Sequence, residues 1–227
     1  MLVRSKSLSI PVGERGSTSA VLLTPSGEKK DVAVIIAHGA GNDLYNPLLS
    51  AFAEGLSRGG YPALRFNFLY REQGRKMPDK EEILVETWQA AFRFMKESSG
   101  LQKMRVVAAG KSLGGRIASQ AAAEGVLPVA GLIFLGYPLH PSTDKEKMRD
   151  SHLYRIGIPM LFFAGTRDLL CDLDRLKRVL GRLRADWDLM VIEGGDHSFH
   201  VPRSTGIDDE EIYKRIVEKT LEWLGHS

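Results

Sequence analysis

A short apolar run that ends in Gly110-Lys-Ser-Leu-Gly114 constrains this chain more than any other feature. Arg105–Ala109 has the pattern of a buried strand, and an alanine-rich helical pattern follows at Gly115–Glu124. A strand, a sharp turn with serine at its tip and a helix form the context in which G-x-S-x-G exposes a serine at the edge of a sheet. Glycines flank the turn because a Cβ there would collide with the neighbouring strand or helix. Ser112 is therefore a candidate nucleophile.

A phosphate-binding loop is the competing interpretation, because Gly110-Lys-Ser112 also ends the motif G-x-x-x-x-G-K-[ST]. That motif requires a glycine five residues before Gly110, where this chain has Arg105. The residues between them, Val106–Ala109, are typical of a strand interior rather than of a loop around phosphates. We therefore favour the serine turn over nucleotide binding, and we expect no cofactor.

Strand-like and helix-like segments alternate along the rest of the chain. Two alternating segments near its start indicate a hairpin, and further strands follow: Ser5–Ile10, Ser17–Leu23, Val32–Ala37, Tyr61–Phe66, Arg105–Ala109, Val129–Leu135, Pro159–Ala164 and Asp188–Ile192. Helical patterns lie between them: Pro47–Arg58, Lys80–Glu97, Gly115–Glu124, Asp172–Leu183 and Asp208–Leu224. This alternation predicts an α/β fold with a mostly parallel, doubly wound sheet of about eight strands and helices on both faces.

Length and composition limit the class of protein. A chain of 227 residues predicts a single domain over 1–227 with a sizeable core. The net charge of +3 gives no indication of binding to nucleic acid or to a membrane surface. One cysteine, Cys171, excludes an internal disulfide and is typical of a reducing compartment. The N-terminal residues lack the apolar core of a secretory signal, and no apolar run has the length of a membrane span, so we expect a cytoplasmic protein. The sequence does not indicate an oligomeric state.

Two further polar residues follow predicted strands, which is where catalytic groups collect in such sheets. Asp168 comes just after Pro159–Ala164, and His197 lies in the loop after Asp188–Ile192. A serine hydroxyl is a weak nucleophile near neutral pH, so a neutral imidazole must accept its proton and a carboxylate must orient that imidazole. The order serine, acid, histidine is that of α/β-hydrolases. We predict that Ser112, Asp168 and His197 are catalytic.

Each of these assignments has a rival nearby. Asp172 could replace Asp168 as the acid, but Asp172 looks more like the start of a helix. His200 could replace His197, which lies nearer the flexible Gly194-Gly195 turn. No group of His, Cys, Asp and Glu has the spacing of metal ligands, so we expect no metal.

The loop His38-Gly-Ala-Gly-Asn42 follows the strand Val32–Ala37, and its small residues let the backbone approach a substrate carbonyl. In α/β-hydrolases one oxyanion donor comes from this loop and the other from the residue after the nucleophile. We predict the backbone N–H groups of Ala40 and Leu113, with Gly39 or Gly41 as alternatives to Ala40. The other residues of the loop are candidate pocket residues: His38, Gly39, Gly41 and Asn42.

The segment that begins at Arg65 follows a predicted strand and should lie near the rim of the pocket. Further candidates for substrate contact, or for support of the site, are Arg65, Asn67, Tyr70, Arg71 and Lys111. An alternative remains open, in which hydrogen bonds of this segment hold the long loop Leu69–Lys80 in place.

Together these features resemble the α/β-hydrolase superfamily over essentially the whole chain. More narrowly, His38–Asn42, Arg65–Pro78 and Gly110–Arg116 are similar to the dienelactone-hydrolase-related group of hydrolases. The resemblance implies a hydrolase fold and esterase-type chemistry, without implying a particular substrate. Dienelactone hydrolases proper use a cysteine nucleophile where this chain has Ser112, so lactone specificity is not carried over.

We therefore expect a serine hydrolase that forms an acyl-enzyme with a small-molecule acyl substrate. Only about twenty residues separate Tyr137 from the next predicted strand, so we expect a minimal lid and a preference for small or short-chain acyl esters. Two alternatives remain: a non-catalytic interaction module that retains the fold, and an acyltransferase or peptidase that uses the same three residues.

Overall fold

The computed structural model describes residues 2–98 and 100–226. Its strands are β1 (Val3–Pro11), β2 (Ser17–Pro25), β3 (Val32–Ala37), β4 (Ala63–Phe66), β5 (Arg105–Lys111), β6 (Gly131–Leu135), β7 (Met160–Gly165) and β8 (Trp187–Ile192). Its α-helices are α1 (Pro47–Arg58), α2 (Leu69–Glu72), α3 (Glu81–Glu97), α4 (Leu113–Ala123), α5 (Leu173–Leu180) and α6 (Asp209–His226).

The eight strands form one sheet in the order β1-β2-β4-β3-β5-β6-β7-β8. The β1–β2 hairpin is antiparallel, β2 pairs antiparallel with β4, and the remaining pairs are parallel. Consecutive residues of β3 are buried on opposite faces. Ile35 belongs to a core cluster that also contains residues of α3, α4 and α5, and Ile36 belongs to one that contains residues of α1 and α6. The prediction of a mostly parallel, doubly wound sheet with an N-terminal hairpin is confirmed.

Element boundaries differ from the sequence-based ones where a turn or cap decides them. Helix α4 begins at Leu113, two residues earlier than predicted, because it starts directly from Ser112. Helix α5 ends at Leu180 rather than Leu183, since Gly181 caps it by donating to the Lys177 carbonyl. The predicted loop Leu69–Lys80 begins with the single helical turn α2. Four residues are too few for hydrophobic periodicity to indicate a helix.

Because β5, β7 and β8 run parallel, the residues that follow them lie at one edge of the sheet. Ser112 follows β5 directly, Asp168 follows β7, and His197 follows β8. Between β6 and β7, residues 136–159 contain one 3-10 turn, Leu153–Arg155, and no longer helix. No described helix has the length and apolar character needed to cross a membrane.

Candidate active site

The turn after β5 holds Ser112 in a backbone conformation that L residues rarely adopt. Its φ is 50° and its ψ is −113°, and such strain persists only when the surrounding packing imposes it. A Cβ on Gly110 would lie 2.1 Å from the Gly115 nitrogen, and one on Gly114 would lie 2.7 Å from the Ala37 carbonyl oxygen. Glycine is therefore required at both positions, because the turn, α4 and the end of β3 meet there backbone to backbone.

A chain of two hydrogen bonds connects the three residues that the sequence selected. His197 Nδ1 lies 2.7 Å from Asp168 Oδ2, and His197 Nε2 lies 2.9 Å from Ser112 Oγ. A carboxylate can only accept, so Nδ1 carries the proton and Nε2 is left to accept from the serine hydroxyl. This tautomer is the one that a general base for serine requires.

Asp168 is held in place from its other side as well. Its side chain is fully buried, and Oδ1 accepts a hydrogen bond from the Leu170 amide at 2.7 Å. The rival acid Asp172 instead caps α5, accepting from the Arg175 amide, and forms an ion pair with Lys145 at 2.7 Å. Asp168 is thus the carboxylate that contacts the imidazole, and Asp172 starts a helix as its sequence context predicts.

The rival histidine, His200, is directed away from the serine. Its ring nitrogens lie 3.5 Å from Asp196 Oδ2 and 3.3 Å from Asp209 Oδ2, and its side chain is half exposed. Cys171 is buried, and burial raises the pKa of its thiol, which removes it as a thiolate nucleophile.

The loop after β3 passes beside the serine. A Cβ on Gly39 would be 3.4 Å from the Ser112 Cβ, so the backbone approaches closely there. The Asn42 amide donates to the Gly39 carbonyl in a turn that gives Gly41 a φ of 75°. The Ala40 amide donates to no acceptor within the described residues, and Leu113 opens α4, where first-turn amides have no intrahelical acceptor. The assignment of these two amides as oxyanion donors stays a prediction.

His38 supports this loop from below and does not line a cleft. It is fully buried, Nδ1 donates to the Gly39 carbonyl at 2.8 Å, and Nε2 accepts from the Phe68 amide at 3.0 Å. Burial lowers the pKa of His38 to about 4, so the ring is neutral near pH 7. Its imidazole also meets the rings of Phe68 and Tyr70 edge to face.

The segment from Arg65 to Arg71 also binds protein groups. Arg65 donates to the Leu44 carbonyl at 2.8 Å and to Ser50 Oγ, while Asn67 Oδ1 accepts from the Leu44 amide at 2.8 Å. Arg71 lies 3.6 Å from Asp43, and Tyr70 is fully buried. These contacts agree with the alternative that the segment holds loops in place, and they make direct substrate contact by Arg65 or Tyr70 the weaker interpretation.

Lys111 lies behind the serine, not in an open pocket. It is buried, and its amine donates to the main-chain carbonyl of His197, a contact that the motif spacing did not reveal. The open cleft beside the histidine measures about 1010 Å³, and its wall includes Ser142, Arg167 and Leu169. Within residues 2–98 and 100–226, no cluster of His, Cys, Asp or Glu is suited to hold a metal ion.

Sequence reasoning missed a second serine–histidine contact on the far side of α4. Ser119 Oγ lies 2.8 Å from His152 Nε2, with the Tyr137 hydroxyl 3.3 Å from the same nitrogen. Ser119 is fully buried and His152 nearly so, so water and substrate do not reach them. No sequence motif distinguishes Ser119 and His152 from ordinary core residues, whereas the strained turn distinguishes Ser112.

Comparison with known proteins identifies the family and the fold. A family model described as an alpha/beta hydrolase domain matches residues 30–225. The chain belongs to this alpha/beta hydrolase family. The fold is shared with a dienelactone hydrolase from Anabaena variabilis, which is 24% identical, with 100% of this chain and 99% of that chain covered and a TM-score of 0.79.

Two further solved structures of this hydrolase class share the fold. An alpha-beta serine hydrolase homologue from Coxiella burnetii is 22% identical, with 94% of this chain and 96% of that chain covered and a TM-score of 0.75. A serine hydrolase without a lid from Xanthomonas campestris is 20% identical, with 87% of each chain covered and a TM-score of 0.70. At these identities the comparison establishes the hydrolase fold, and substrate has to be argued from the site.

Proposed function

We propose that this alpha/beta hydrolase is a serine esterase that cleaves small or short-chain acyl esters through Ser112, His197 and Asp168. The observation that carries the proposal is the pair of hydrogen bonds from Ser112 Oγ to His197 Nε2 and from His197 Nδ1 to Asp168 Oδ2. The strained backbone at Ser112 supports it, since strain of this kind concentrates at functional sites.

The reaction follows from these contacts. Ser112 Oγ attacks the ester carbonyl carbon while its proton passes to His197 Nε2. The amides of Ala40 and Leu113 donate to the oxyanion, and each such donor contributes about 3 kcal/mol to transition-state stabilisation. Collapse of the tetrahedral intermediate expels the alcohol, which takes the proton from His197. Water then gives a proton to the same nitrogen and attacks the acyl carbon. The bond from that carbon to Ser112 Oγ breaks, Oγ takes the proton back from His197, and the acid is released, while Asp168 stabilises the imidazolium in both steps.

Preference for short acyl groups is supported by the connection between β6 and β7. Only one 3-10 turn interrupts residues 136–159, and no helical cap lies there to cover a long acyl chain. The neighbouring wall includes Leu169, whose 74% exposure offers a small apolar contact beside the histidine. A long acyl chain would gain little burial at such an open site, so chain length adds little binding energy.

A fluorophosphonate probe tests the proposal because it labels activated serines without knowledge of the substrate. Stoichiometric labelling of Ser112, located by peptide mass spectrometry and lost in Ser112→Ala, is expected. Ser119→Ala is the matched control, because Ser119 also contacts a histidine but is buried, and it should label normally. A folded wild-type protein that takes no label at Ser112 would contradict the proposal and favour a non-catalytic interaction module.

A panel of nitrophenyl esters then tests the substrate class. Because chain length adds little binding energy at an open site, esters longer than decanoyl should be cleaved with kcat/KM no higher than that of acetyl to butyryl esters. A preference for the long chains would contradict the argument from the uncovered site. Faster transfer of the acyl group to an added alcohol or amine than to water would instead indicate an acyltransferase. Cleavage of peptides in preference to esters would indicate a peptidase.

A further inference from the structure

Lys111 lies at a buried position, where a charged amine has an unfavourable free energy of desolvation. It is the last residue of β5, directly before Ser112, and only 6% of its surface is exposed. Burial disfavours an ammonium group, and an unbranched apolar side chain such as methionine would fill similar space without that cost. The proposed reaction has no step that uses Lys111, so its presence requires another explanation.

The amine of Lys111 is directed at the loop that contains the proposed base. It donates to the main-chain carbonyl of His197 at 2.5 Å and lies 5.7 Å from the centre of the Phe199 ring. Gly136, the residue after β6, leaves the space for this contact. A Cβ there would lie 3.1 Å from Lys111 Nζ and 3.0 Å from the His197 carbonyl oxygen. Residues at the ends of β5, β6 and β8 thus meet at one hydrogen bond.

Apart from the side-chain bonds of His197 to Ser112 and Asp168, the other hydrogen bonds here lie within its loop or join that loop to the turn after β7, where the Arg167 amide donates to the Gly195 carbonyl at 2.8 Å. Asp196 Oδ1 accepts from the amides of Ser198 and His200, at 2.7 and 3.0 Å. Those bonds shape residues 196–200 but do not set their distance from β5. The Lys111 amine does, because it joins the strand that ends at the serine to the residue that supplies the imidazole.

We propose that Lys111 is a positioning residue that holds the His197 imidazole opposite Ser112 by bonding the His197 carbonyl. The inference rests on the proposed serine esterase function and names a residue that this function requires. Lys111 does not touch the substrate or the reacting atoms. A displacement of a base by about 1 Å can cost about 100-fold in rate, so an anchor at its own main chain has a measurable effect.

Charge adds a second effect of the same residue. Burial lowers the pKa of Lys111 to about 8, although Asp168 and Asp196 act in the opposite direction. The amine is therefore mainly protonated at neutral pH, and it keeps N–H donors on both sides of that pH. The ionisable groups that face it are Asp168 after β7, and Asp196 and His197 after β8. A protonated Lys111 donates to the His197 carbonyl as a cation, and such a charge-assisted hydrogen bond is stronger than a neutral one.

Lys111→Met tests the proposal, because it keeps the length of the side chain and removes the donors and the charge. The rate of fluorophosphonate labelling is measured against probe concentration, which separates the maximal rate from the half-saturating concentration. We expect the maximal rate per folded molecule to fall by about 10- to 100-fold, with half-saturation changed by less than about twofold. Lys214→Met, on the exposed face of α6, is the matched control.

The outcomes separate this proposal from the one on which it rests. Wild-type protein without label at Ser112 would overturn the proposed function itself. Normal wild-type labelling together with an unchanged maximal rate in Lys111→Met would overturn the positioning role alone. If Lys111→Met does not fold, Lys111→Leu, which also has no donor, replaces it with the same expectations for the maximal rate. Failure of both variants to fold would overturn the proposal in favour of a structural lysine.

Discussion

Lowering the pH should destabilise this protein well before its carboxylates are protonated, because the fold buries two neutral histidines, His38 and His152. Burial lowers the pKa of His38 to about 4 and, with Arg116 and Arg155 nearby, lowers the pKa of His152 to about 4. An unfolded chain binds a proton at each ring near the ordinary value of about 6.5. Between these values the unfolded state binds more protons, so stability falls as pH decreases.

The magnitude follows from the two pKa values of each ring. At pH 5 the folded state loses about 2 kcal/mol for each histidine relative to pH 8, and below pH 4 the loss approaches about 3 kcal/mol each. Two such rings remove about 4 kcal/mol by pH 5, a large share of the stability of a typical domain. Urea unfolding at a series of pH values from 8 to 5 measures this directly.

Variants assign the effect to individual rings. His38→Gln loses the bonds to the Gly39 carbonyl and the Phe68 amide, so it should be less stable at pH 8. Its loss between pH 8 and 5 should nevertheless be only about half that of the wild type, and His152→Gln should behave alike. A wild-type stability that is constant between pH 8 and 5, or a pH dependence unaltered in both variants, would refute the argument.

Three further predictions concern the site and its scaffold. Asp168→Asn should lower kcat by about ten-thousand-fold with little change in thermal stability, since the amide favours the wrong imidazole tautomer; a loss below tenfold would contradict the role of Asp168. Gly110→Ala should lower the free energy of unfolding, measured in urea, by about 3 kcal/mol or more, because its Cβ would lie 2.1 Å from the Gly115 nitrogen. Gly181→Ala is the control: its Cβ would have no neighbour nearer than 3.5 Å, so the free energy of unfolding should change little. Gly225→Ala has open space in α6 and should raise stability by up to about 1 kcal/mol, so a loss would show an unrecognised contact.

Local sequence determined the layers of this fold and the residues at its edge. The apolar run Val32–Ala37 is buried throughout, and the patterns before Ser112 and after it formed the expected strand and helix. Hydrophobic periodicity succeeds there because each element buries a face that only one secondary structure can present. Parallel strands then place the residues after β5, β7 and β8 at one edge, which is why strand ends and local turn and helix-start patterns could select Ser112, Asp168 and His197.

Only the tertiary structure decided which polar groups meet. The bond from Lys111 to the His197 carbonyl joins positions 86 apart in the chain, and the bond from the Phe68 amide to His38 joins positions 30 apart. The sequence likewise could not separate a pocket role for Arg65 from its contact with the Leu44 carbonyl. Periodicity reports which side of an element is buried, but a hydrogen bond depends on distances between elements to within a few tenths of an ångström. Packing of the whole sheet and its helices sets those distances.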